Sequence, residues 1–173
     1  MKSHIKHFAF LFLATMLLAA CQRNTKYPYA IRDFDAEVQP LLESLASNGI
    51  FNRNWHIQEH LRERLSENDL KNLSKCDVPI LRLFAMDALL NAVQKEIDDE
   101  FERTSTQMDI AFTHLDDTAS VNVDNGEFGI YRRLISDYIL GNFSPNHIDP
   151  KLSDKLTLEL LSNRPYLHQT YSS

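Results

Sequence analysis

The chain has 173 residues and a mass of 20.0 kDa, with 43% hydrophobic and 24% charged residues, which suits one globular domain and is short for a two-domain enzyme. Four Gly and six Pro exclude a collagen-like or low-complexity chain and speak against an all-β fold, which uses Gly at many turns. The formal charge of −6 argues against nucleic acid as a partner, because an acidic domain repels phosphate backbones.

Residues 1–7 carry Lys2 and Lys6 and no acid, and residues 8–20 read FAFLFLATMLLAA. A basic stretch before a short apolar run is the pattern of a secretory signal peptide. This apolar run of 13 residues is short of the roughly 20 that a spanning helix needs. It ends in Leu18-Ala19-Ala20-Cys21 and turns polar at Gln22-Arg23-Asn24. That spelling closely resembles the lipobox of bacterial lipoproteins. The resemblance implies cleavage between Ala20 and Cys21, a diacylglyceryl group on the Cys21 thiol, and usually acylation of the freed amine. Two or more acyl chains anchor firmly where one holds only marginally. In well-studied diderm bacteria, Asp just after the lipidated Cys signals inner-membrane retention. Gln22 stands there in this chain, so the resemblance implies the outer membrane, with the body facing the periplasm. Loss of Lys2 and Lys6 with the signal peptide takes the mature charge to −8. With Cys21 lipidated, Cys76 has no intramolecular partner and no disulfide is expected. Cys76 lies in an apolar-patterned stretch and reads as a small buried hydrophobe rather than a reactive thiol.

Residues 21–32 read as a lipid-anchored tether, extended around Pro28. Residues 33–165 form a single helical domain, and residues 166–173 a polar tail. Val38, Leu41, Leu42 and Leu45 follow the helical rule, and Asn48-Gly49 ends that helix. Ile57, Leu61 and Leu65 stripe a second helix. Ser66 with Asp69 resembles a capping box for a short third helix carrying Leu70 and Leu73. Asp77, before Val78-Pro79, is a natural N-cap for a fourth. Its stripe (Leu81, Phe84, Ala85, Ala88, Leu89, Ala92, Val93) is the cleanest amphipathic pattern in the chain. The charged stretch 95–106 either extends that helix or turns in solvent, and periodicity resumes with Met108, Ala111, Phe112 and Leu115. Residues 119–131 alternate around Asn125-Gly126, a hairpin signal, with a plain loop as the alternative. Tyr131, Leu134, Ile135, Tyr138 and Ile139 make the next helix, closed by Gly141 and Pro145. Asp149-Pro150 opens the last, lined by Leu152, Leu156 and Leu160.

The expected fold class is all-α, with six to seven helices in antiparallel pairs and a possible small β-hairpin. Residues 67–93, with their Asp77-Val78-Pro79 turn and Arg82, Ala85 and Leu89 beyond it, resemble a HEAT-type helical repeat. Residues 106–141 echo the unit, with Asp117 and Val121 at the turn and the hairpin as an insertion, and residues 37–65 form a weaker third pair. The resemblance implies stacked pairs that bury one another's apolar faces and present a binding surface.

His56-Ile57-Gln58-Glu59-His60 matches the H-x-x-E-H pattern and is similar to the inverted zinc peptidases. That similarity implies zinc held by His56 and His60, with Glu59 as general base. The helical wheel opposes it: with Ile57, Leu61 and Leu65 facing the core, His56, Glu59 and Glu63 face away and His60 sits at the flank. We therefore expect a solvated helix face there, with no assigned metal or cofactor. His114, Asp116 and Asp117 read as caps at a helix end, with mixed metal ligands or an acid/base pair as the alternative. The loop 122–126 fails as a calcium loop, because Val121 and Val123 fall at the first ligand positions. The sequence has no phosphate-binding Gly loop, G-x-S-x-G elbow or C-x-x-C motif. Trp55 and the tyrosines at 27, 29, 131, 138, 166 and 171 read as finishing a helical core, with a binding surface as the alternative. Asp98, Asp99, Glu100 and Glu102 read as a solvated face, with contact to a basic partner as the alternative.

The expected function is a membrane-anchored envelope lipoprotein without catalytic activity, acting as a protein-interaction or adaptor module. An inhibitor or immunity-type lipoprotein that neutralises a toxin is the alternative. A small metal-dependent hydrolase acting through His56 and His60 is the third.

Overall fold

The computed structural model describes residues 26–141, 143 and 149–163. The signal segment, Cys21, Gln22, Pro145, the side chains of Leu156 and Leu160, and the 166–173 tail with Tyr166 and Tyr171 lie outside the described residues. The described chain carries α1 (Gln39–Asn48), α2 (Trp55–Arg64), α3 (Glu67–Leu73), α4 (Pro79–Glu96), α5 (Glu100–Phe112), α6 (Ile135–Leu140) and α7 (Pro150–Asn163). Three short strands accompany them: β1 (Ile50–Phe51), β2 (Ser120–Asp124) and β3 (Ile130–Leu134). None of the described helices is long and apolar enough to cross a membrane.

The body is mostly helical, as expected, and beside its helices it carries a small mixed sheet ordered β1-β2-β3, one strand more than the expected hairpin. β2 and β3 form the hairpin signalled by Asn125-Gly126, pairing antiparallel from Ser120 opposite Leu134 to Asp124 opposite Ile130. β1 joins in parallel, with Phe51 opposite Val123, and nothing in its two residues announces a strand. Residues 130–134, expected as the start of a helix, belong to β3 instead, and the helix begins only at Ile135. Their apolar spacing suits either period over so short a run, and hydrogen bonding to β2 decides between them.

Local signals set most helix ends. Ser66 Oγ accepts from the Asp69 N–H at 3.2 Å, and Asp69 Oδ2 accepts from the Ser66 N–H at 3.0 Å, a complete capping box. Gly49 ends α1 in the left-handed region at φ 66°. Pro79 opens α4, but its N-cap is Val78, and no side chain caps that end, contrary to the role expected of Asp77. The charged stretch resolves into a break at 97–99 followed by α5, whose cap is Asp99, accepting from the Glu102 N–H at 2.8 Å.

α4 is the centre of the molecule. Residues 80–86 are buried on every side, so its first half is a core helix and not the amphipathic surface helix expected. α1, β1, β2 and α6 pack on it together with α3 and α5. On α2 the buried positions are Gln58, Leu61 and the adjoining Leu65, with Ile57 half-buried at the edge. Trp55 does not finish the core, being 56% exposed.

Two local features can be tested together. No atom lies within 4 Å of a Cβ built on Gly49, so Gly49→Ala meets backbone strain alone. Gly49→Ala and Ser66→Ala are each expected to lower unfolding free energy by about 1 kcal/mol, read from urea denaturation.

Candidate functional site

Arg82 and Asp117 are each about 2% exposed, yet both are charged side chains. They form a two-pronged pair, Nε to Oδ2 at 2.7 Å and Nη2 to Oδ1 at 3.1 Å. Arg82 Nη1 also donates to the Cys76 carbonyl at 2.9 Å, and Asp117 Oδ1 accepts from the Ala119 N–H at 3.1 Å. The Tyr27 ring lies 3.8 Å from the guanidinium carbon. Burial raises the Asp117 carboxyl, but the Arg82 hydrogen bonds and charge more than offset it and hold the group below its usual value. The sequence reads Asp117 as a cap at a helix end. It does serve the Ala119 N–H, but its main partner is the arginine 35 residues away.

Residues 26–32, the leader into the body, are fastened at this cluster. The Tyr29 N–H donates to the Lys75 carbonyl, and the Asp77 N–H donates to the Tyr29 carbonyl at 2.8 Å. Lys26 Nζ pairs with Asp116 Oδ2 at 2.9 Å. Of the segment read as a tether, residues 26–32 are therefore docked on the body.

His114 is buried beside the cluster and is not an exposed cap. Its Nε2 lies 2.8 Å from the Ser74 carbonyl, which only accepts, so that nitrogen carries the hydrogen. The Thr113 hydroxyl lies 2.6 Å from Nδ1. Burial holds His114 below its usual value, against the smaller opposing pull of the Ser74 carbonyl. Cys76 is fully buried, and burial pushes its thiol up to about 11, so it is protonated at neutral pH.

A groove of about 830 Å³ runs along the second half of α4. Met86, Leu89 and Val93 line it from α4, Ile97 from just beyond the end of that helix, and Leu70 and Ile110 from α3 and α5. Its existence follows from helix lengths. α3 has 7 residues and α4 has 18. At 1.5 Å per residue that is roughly 10 Å against roughly 27 Å, so α3 runs out before α4 does. Lys71, Lys75 and Lys95 share the lining with Glu67, Glu96 and Asp109, a mixed charge pattern around apolar side chains. Ser74 and His114 also line the groove, which links it to the cluster under the leader.

His56, Glu59 and His60 are all exposed on α2, and the His56 ring stacks on Trp55 with centroids 3.5 Å apart. Among the described residues no three of His, Cys, Asp and Glu lie close enough to hold a metal ion. The sequence reading missed both the Arg82–Asp117 pair and the groove. A signal for the first existed: Arg82 falls among apolar residues in α4, and a charge there needs a partner. No comparable local signal marks the groove.

Arg82→Leu leaves Asp117 buried without its cation and is expected to cost about 3–5 kcal/mol in urea unfolding. Adding Asp117→Leu is expected to recover much of that loss. The pH dependence follows from His114. Its native pKa lies below the usual 6.5, so the unfolded chain binds the proton more readily. Stability is therefore full above 6.5 and falls as pH drops from there toward the native value. Asp117 acts in the same sense at lower pH. His114→Gln is expected to flatten the fall just below pH 6.5, measured as the urea midpoint against pH.

The chain matches no protein-family model, no curated protein and no solved structure, so the geometry above carries the functional reading.

Proposed function

We propose that the chain is a lipid-anchored bacterial envelope protein, held through Cys21, that acts as a non-catalytic protein-interaction module. The observation that carries the interaction role is the open apolar groove over the second half of α4. Its mixed-charge lining suits an amphipathic segment of a partner, with apolar contacts inside and ion pairs at the edge. The anchor rests on Leu18-Ala19-Ala20-Cys21, and Gln22 supports the outer membrane facing the periplasm. The docked leader fits the same picture, since it ties the body close to Cys21. A HEAT-like body, with α3–α4 stacked beside α5, is the finer fold reading. The sheet would then be an insertion between helices of the next pair.

Two measurements test the proposal. Cys21→Ser is expected to abolish incorporation of labelled palmitate, and retained label overturns the lipobox assignment. Cross-linking in the native envelope, followed by affinity purification and quantitative mass spectrometry, is expected to recover a partner near one-to-one. Val93 and Ile97 are half-buried in the groove, so Val93→Glu and Ile97→Glu should leave the fold intact and lose that partner. Undiminished recovery with both variants would remove the groove as the docking surface.

A further inference from the structure

The end of the sheet opposite the leader presents three large apolar side chains to solvent: Phe128 at 84%, Trp55 at 56% and Ile130 at 49% exposure. β1 and β2 run parallel and leave the sheet at the same end, β2 into the 125–129 turn and β1 into the 52–54 turn that starts α2. The hairpin tip is built to hold its shape. Gly126 and Gly129 take φ of 58° and 77°, conformations that a side chain resists. Asp124 Oδ1 accepts from the Gly126 N–H at 2.9 Å, and the Asn125 N–H donates to the Gly129 carbonyl at 3.0 Å. The backbone that carries Phe128 is thus held in a closed turn, which leaves only the side chain to order on binding. Arg53 is exposed two residues before Trp55, and the exposed acids nearest in sequence are Glu127 and Glu59.

A bilayer interface receives this combination. Aromatic and aliphatic side chains settle at the boundary between headgroups and acyl chains, and arginines meet the phosphates. The length of chain before Lys26 decides how close that interface lies. Five residue-to-residue steps separate Cys21 from Lys26, where the leader is already fastened. Fully extended they span at most about 17 Å. β2, which runs from the fastening point to the tip, covers about the same distance. A body on so short a leash lies against the bilayer, and its hairpin tip is within reach of the surface that holds the anchor.

We propose that the sheet end carrying Trp55, Phe128 and Ile130 is a second membrane contact, seated in the interfacial layer of the lipid bilayer that anchors Cys21. The proposal rests on the lipidation of Cys21. Anchor and tip together fix the orientation of the body. α3, α4 and α5, which line most of the groove, carry none of these tip residues, so both surfaces can be engaged at once.

The test uses the mature chain coupled through Cys21 to a maleimide phospholipid in vesicles of phosphatidylethanolamine and phosphatidylglycerol. Buried Cys76 stays out of the coupling. Trp55 is the only tryptophan in the chain. Phospholipid brominated high on its acyl chains is expected to quench Trp55 emission and shift it to the blue. Phe128→Trp in a Trp55→Phe background is expected to be quenched more strongly. Phe128→Ser with Ile130→Ser is expected to weaken Trp55 quenching and to lower vesicle partition of the uncoupled chain roughly tenfold or more. Both tryptophan positions unquenched and open to aqueous iodide would overturn the proposal and turn this surface toward a partner protein. Quenching retained in a protein that takes up no palmitate in cells would sink the anchor and keep the lipid-binding surface, so the two failures are told apart.

Discussion

A guanidinium and a carboxylate removed from water meet where three parts of the chain converge. Arg82 belongs to the central helix, Asp117 to the turn leading into β2, and Tyr27 to the leader that covers both. Burying two charges costs several kcal/mol each, and a pair of apolar side chains often serves stability as well. What the pair adds is direction. A guanidinium has fixed donors, and here they reach one carboxylate and the Cys76 carbonyl, so the α3–α4 turn and the α5–β2 turn can meet in one arrangement only. The leader follows, because the ring of Tyr27 needs the guanidinium beneath it.

The rest of the architecture hangs on α4. Its first half is surrounded, which leaves the sheet, α1 and α6 to cover it together. Its second half extends past α3, and the mismatch in length opens the groove. The same helix therefore supplies the core and the floor of the candidate docking surface. A groove on a helix anchored by a fully packed first half is preorganised, and binding there orders little that is not already ordered.

The ends of the molecule divide the work. The leader and the ion-pair cluster occupy one end of β2, and the exposed aromatic tip occupies the other. A short leash and a rigid tip together would set one side of the body on a membrane and leave the helical groove free for a partner. Under the proposed membrane contact the sheet would have a functional role, since a loop carried on a stable scaffold can bind without disturbing it.

Local chemistry was readable in the residues alone. The Ser66–Asp69 capping box, Gly49 at a left-handed position, Pro79 and Pro150 at helix starts and the Asn125-Gly126 hairpin each depend on neighbours a few positions away. The exposure of His56 and His60 was likewise legible, because a helical wheel is a local construction. What escaped depends on distance in sequence. β1 exists because β2, some seventy residues later, offers it a partner. Residues 130–134 are a strand because the same neighbour bonds to them. Asp117 is buried because Arg82 is there to neutralise it, and the groove opens because α3 stops before α4 does. Periodicity and capping specify where a helix starts, stops and turns its apolar face. Only the folded chain decides which charge meets which, since a side chain's partner across space leaves no mark on its neighbours along the chain.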